Sequence, residues 1–65
     1  MTDDAARYRR SLWADVERHL KGAQHLVELA QGVLEDLGNS DYADQLQPTV
    51  DTLRQAANEA EEAAT

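Results

Sequence analysis

Cysteine is absent from the sequence, which excludes a disulfide staple and a thiolate zinc site as sources of stability. The absence matters because the chain has only 65 residues. A domain of that size buries only about 60% of the surface its unfolded chain exposes, and without staples it commonly relies on oligomerisation. The same absence suits a reducing cytoplasm, the expected location. Phenylalanine is also missing, proline occurs once and glycine three times. Alanine, leucine, glutamate, glutamine and arginine fill the sequence instead, a composition that favours helix over strand. No apolar run approaches the roughly 18 residues of a membrane span, so no membrane association is expected. The opening "MTDDAARYRR" places acidic residues first with no apolar run behind them, unlike a secretory or transit signal.

Basic side chains are scarce too, six against thirteen acidic ones, for a formal net charge of -7. Five of the six lie in "AARYRRSLWADVERHLKG", Ala5 to Gly22. The segment is either a binding surface or the wet side of a helix whose other face is buried.

Clear turn chemistry occurs at "LGNSD", Leu37 to Asp41. Gly38 suits the left-handed position that ends a helix. Ser40 is expected to cap the next one, with Asp41 and Asp44 complementing its positive end. The fold class is therefore all-α, a single domain over 1–65 built as an antiparallel two-helix hairpin. Helix 1 is expected over about 3–37, capped by Thr2, and helix 2 over about 41–63. Pro48 removes a backbone donor within helix 2, but the apolar phase survives from Leu46 to Val50. A kinked continuous helix is expected in preference to a short helix followed by a fresh start. A turn this short makes the helices neighbours, pairing residues whose numbers sum to about 78. That pairing sets Arg18 near Glu59 to Glu62, and helix 2 runs out opposite Ala14.

Helix 1 carries a heptad pattern. Trp13, Leu20, Val27 and Leu34 occupy one core position, and Val16, Ala23, Ala30 and Leu37 the other. Beside them runs a second stripe, Leu12, His19, Leu26 and Val33, widened by Leu29. Helix 2 offers only Tyr42, Leu46, Val50 and Leu53 as large apolar partners before its seam tapers to alanine. One such helix cannot cover both stripes, and leaving the second wet would forfeit about 1.5 to 3 kcal/mol per large side chain. Leu12, His19, Leu26, Leu29 and Val33 are therefore expected to mediate self-association, most simply as a homodimeric four-helix bundle.

The residues give little support to catalysis. A nucleophile needs an activating base in a pocket, a bundle with an alanine seam leaves little room for one, and no glycine-rich phosphate loop occurs. "RHLKGA", Arg18 to Ala23, resembles the His-x-x-Lys-Gly of histidine phosphotransfer domains. Its lysine follows His19 by two residues instead of three, which takes Lys21 off the histidine's face. His25 is six residues from His19 on another face, so no metal or cofactor is expected. His19 is expected as a partly buried interface histidine bonded to Asp15 or across the interface, with pH sensing as the sharper reading. Glu17 and Lys21 form a favourable pair four residues apart. Arg7, Tyr8, Arg9, Arg10 and Trp13 lie where helix 2 has run out and have the composition of interface hot spots. They are the candidate partner-binding residues. The expected function is a non-enzymatic protein–protein interaction or regulatory role, as an adaptor, inhibitor or assembly subunit. The alternative is an RNA-binding regulator using the basic end of helix 1. The acidic balance disfavours it, because long-range steering of nucleic acid would be repulsive.

Overall fold

A computed structural model describes residues 2–65, with side chains from Asp3 onward. It contains three helices, α1 (Thr2–Asp36), α2 (Ser40–Gln45) and α3 (Gln47–Ala64). There is no strand among the described residues. Asp3 and Asp4 stand in the first turn of α1, where their charge opposes the helix dipole. The cap expected from the Thr2 side chain lies outside the described residues.

α1 ends in a Schellman motif. The Asn39 N–H donates to Leu34 O at 2.8 Å and the Gly38 N–H to Glu35 O at 2.9 Å. This closure requires a left-handed residue, and Gly38 supplies it at φ +80. The cap of the next helix is Asn39 rather than the expected Ser40: Asn39 Oδ1 accepts from the Tyr42 N–H at 3.2 Å. Asn39 thus both closes α1 and opens α2, while Ser40 is already the first helical residue.

The second arm is broken at Leu46, which corrects the kinked continuous helix expected at Pro48. Proline has no N–H and its ring crowds the carbonyl four residues back, so the ladder cannot run through it. The chain tightens instead. The Leu46 N–H donates to Ala43 O at 3.1 Å and the Thr49 N–H to Leu46 O at 3.1 Å. Pro48 then sits in the first turn of α3, where no donor is needed. Leu46 itself stays in the right-handed helical region at φ −84, ψ −12, so the apolar phase carries from Leu46 to Val50 across the break.

α1 packs antiparallel against α3 along most of α3's length and against α2 near the turn. Gln31 and Gln47, whose numbers sum to 78, are hydrogen-bonded across the hairpin, the register read from the sequence. The fully buried residues among those described are Ala43, Val50, Ala57 and Ala60. All four belong to the second arm, and small side chains there let the helices approach closely. Leu20, Val27 and Leu34 of α1, with Leu46 and Leu53 opposite, are half-buried. The radius of gyration of 15.7 Å exceeds the roughly 11 Å of a compact chain of this length.

α1 is rotated from the orientation that the heptads suggest. The half-buried positions of α1 are Asp15, Glu17, Leu20, Ala23, Gln24, Val27, Gln31 and Leu34; Trp13, Val16, Ala30 and Leu37, expected inside, are exposed. Gln31 gives the physical reason. Its Nε2 donates to Ala43 O at 3.0 Å and to Gln47 Oε1 at 3.2 Å, serving a carbonyl beside the break. The rotation turns Val16, Ala30 and Leu37 outward, next to the second stripe, and leaves Ala23 half-buried.

Candidate interaction face

At about 100° per residue, exposed apolar residues of α1, with Leu37 just past its end, form a single band. Leu12, Val16, His19, Leu26, Val33 and Leu37 fall within an arc of about 100°, and all six are exposed. Ala23 and Ala30 fill the arc between them. Leu29 stands beyond its edge beside Leu26 and Val33, also exposed. The opposite flank of α1 carries Glu17, Lys21, Gln24, Glu28, Gln31 and Glu35.

α3 is divided in the same way. Gln47, Asp51, Arg54, Asn58 and Glu61 lie on one flank, and Thr49, Ala56 and Ala63 on the other. The Gln31–Gln47 bond puts the two polar flanks on the same side of the hairpin. One broad side is therefore polar, and the other is lined by leucine, valine, alanine and threonine.

The polar side is held by local bonds. Gln47 Nε2 donates to Asp51 Oδ1 at 3.1 Å, and Arg54 reaches the same oxygen at 3.3 Å. Lys21 Nζ lies 2.6 Å from Glu17 Oε2, the pair expected from the sequence. The hydrogen bond and charge of Glu17 raise the Lys21 pKa, with a smaller contribution from Glu61 across the hairpin. Arg18 does not meet the acidic stretch Glu59 to Glu62 as expected. It turns to Asp15 at 3.0 Å within its own helix, because position 18 faces away from α3.

His19 lies in the apolar band and is exposed, not partly buried within the single chain. Its Nδ1 is 2.7 Å from the main-chain oxygen of Asp15. A carbonyl only accepts, so Nδ1 carries the proton and donates. The Asp15 carboxylate is engaged by Arg18. His25 is exposed elsewhere, and no group of three or more metal-capable side chains occurs among the described residues.

Residues 3–14 are all exposed, because α3 ends near the level of Ala14. The five residues proposed there for a partner do not form one site. Arg9 and Trp13 join Leu12 and Val16 around an open hollow of about 260 Å³. Tyr8 continues the apolar band, while Arg10 falls on the polar flank and Arg7 on the outer face shared with His25. No family model, curated protein or solved structure matches the chain. No described helix is long and apolar enough to cross a membrane.

Two features of this face escape the heptad reading: the exposure of Val16 and Leu37, and the role of Gln31. A signal for both is present in the sequence. Gln24 and Gln31 are seven apart, one position beyond Ala23 and Ala30, marking a polar seam beside the apolar one.

Proposed function

We propose that the chain is a small, non-enzymatic interaction or regulatory protein that works as a homodimeric four-helix bundle, with the apolar side of each hairpin covered in the assembly. The observation that carries this reading is the division of the hairpin into one apolar and one polar side. Water on both sides would leave Leu12, Val16, Leu26, Val33 and Leu37 exposed. They are 40–74% exposed, so covering the remainder gains a corresponding part of the about 1.5 to 3 kcal/mol of full burial for each, against a typical net stability of about 5 to 15 kcal/mol. In such an assembly Arg7 and Arg10 lie outside the apolar band, at the rim of the covered side, and are the residues accessible to a protein partner of an adaptor, inhibitor or assembly subunit. The cysteine-free composition suits work in a reducing cytoplasm.

The test is substitution on the two sides. Leu26→Glu should abolish self-association at micromolar concentration, whereas Glu28→Gln on the polar flank should leave it intact. Equal behaviour of the two variants would remove the reading. Salt-sensitive RNA retention by the wild type, lost in an Arg7→Ala and Arg10→Ala double variant, would support the nucleic-acid alternative instead.

A further inference from the structure

We infer that the occupant of the apolar side is a second copy of this chain whose α1 runs antiparallel to the first, in a register where facing residue numbers sum to about 49. The inference rests on the self-association proposed above and specifies its geometry.

The hollow at the start of α1 supplies the first argument. Its lining residues, Arg9, Leu12, Trp13 and Val16, are spaced i, i+3, i+4 and i+7. Four residues at that spacing are the hole that receives a knob from a facing helix. The matching knob stands just past the other end of the helix, at Leu37, whose N–H still donates to Val33 O at 3.0 Å. Leu37 is 74% exposed, the largest value among the exposed large hydrophobic residues. Seating Leu37 of one copy in the hollow of the other sets Leu12 against Leu37. A two-fold axis then repeats the contact at the opposite end.

The rest of the band fits that register. Val16 faces Val33, His19 faces Ala30 and Ala23 faces Leu26, so every layer pairs one residue of each row. The match follows from the 3–4 spacing of the two rows and needs no adjustment of either helix. Small residues fall opposite larger ones in the middle, which suits close approach near the axis.

Charge selects antiparallel over parallel. Residues 3–10 carry Arg7, Arg9 and Arg10 against Asp3 and Asp4, a net positive end, and the turn carries Glu35, Asp36, Asp41 and Asp44 with no basic residue. An antiparallel pair lays each basic end along the partner's acidic turn. A parallel pair sets arginine against arginine and carboxylate against carboxylate, which is repulsive.

The exposed area agrees in size. The hairpin exposes 4992 Å², whereas a compact monomer of 7.2 kDa exposes about 4,100 Å². The excess of roughly 900 Å² is close to the roughly 800 Å² that each partner buries in a stable interface of standard size.

The chain has no cysteine of its own, so single introduced thiols report the register directly. Leu12→Cys mixed with Leu37→Cys in a thiol–disulfide exchange buffer should give a mixed disulfide, as should Val16→Cys with Val33→Cys. Leu12→Cys alone should not cross-link, because its two copies stand about 37 Å apart along the helices. Helix content by circular dichroism verifies that each variant folds, and the second pair covers failure of the first. Cross-linking of Leu12→Cys with itself overturns the antiparallel arrangement. A dimer by light scattering that cross-links neither mixed pair overturns the register while leaving self-association standing. A folded monomer overturns both.

Discussion

Gln31 reaches across the hairpin to Gln47, its Nε2 3.2 Å from Gln47 Oε1, while also donating to the Ala43 carbonyl at 3.0 Å. This one side chain links α1 to both pieces of the broken second arm. It holds the polar flanks together and turns the apolar band of α1 outward. The helix break, the rotation of α1 and the exposed face are thus connected through a single amide.

Gln31→Ala should lower hairpin stability by about 1 kcal/mol, the usual worth of such a hydrogen bond, as a lower urea midpoint. A double-mutant cycle with Gln47→Ala should return a coupling of about 0.5 to 1 kcal/mol. Strictly additive effects would mean that the Gln31–Gln47 bond contributes nothing to the register.

The glycines should respond in opposite directions. Gly38 holds φ +80 with nothing within 4 Å of an added Cβ, so Gly38→Ala meets only the backbone cost of the left-handed region, about 1 to 2 kcal/mol. Gly32 is helical, exposed and equally open. Gly32→Ala should raise stability by up to about 1 kcal/mol. Thermal unfolding of the two variants compares the signs directly.

The Glu17–Lys21 pair gives a pH dependence on the alkaline side. Glu17 raises the pKa of Lys21 in the folded chain, so the contribution is fully present below the unfolded lysine pKa. It is lost as the pH climbs through the higher, folded value. The stability difference between wild type and Lys21→Ala should therefore shrink above the ordinary lysine range and stay level between neutral pH and that range. Both side chains retain solvent exposure, so the effect should also weaken with salt.

His19 is the polar interruption in the apolar band. In the antiparallel register it faces Ala30 of the second copy, where an aliphatic side chain buries more apolar surface. His19→Leu should tighten the dimer about tenfold, equivalent to about 1.4 kcal/mol. His25→Leu, on another face, should leave the dissociation constant unchanged. Sedimentation equilibrium on the two variants separates the outcomes.

The hairpin was readable because its signals are local and strong. Gly38 ends α1 as its turn chemistry implies, and the register reappears in the Gln31–Gln47 bond. The rotation of α1 was not readable in the same way. Heptad counting treats Ala23 and Ala30 as core because they are apolar, but two half-buried glutamines, Gln24 and Gln31, take the neighbouring position, and Gln31 adds a second donor to the Ala43 carbonyl beside the break. The break is hidden for a related reason: the apolar phase runs on from Leu46 to Val50 and suggests a kinked continuous helix, whereas the donor missing at Pro48 ends α2 at Gln45, three residues earlier. At the basic end, sequence proximity grouped Arg7, Tyr8, Arg9, Arg10 and Trp13, and the helical phase divides them. Arg9 and Trp13 belong to the hollow, and Arg7 and Arg10 face away from it.

The central claim is that the apolar side of the hairpin is covered by a second copy. Sedimentation equilibrium of the wild-type chain at micromolar concentration, with helix content followed in parallel, tests it most directly. A helical species at twice the 7.2 kDa chain mass, dissociating on dilution with loss of helix, is the expected result. A fully helical species that stays at the single-chain mass across the concentration range would contradict it.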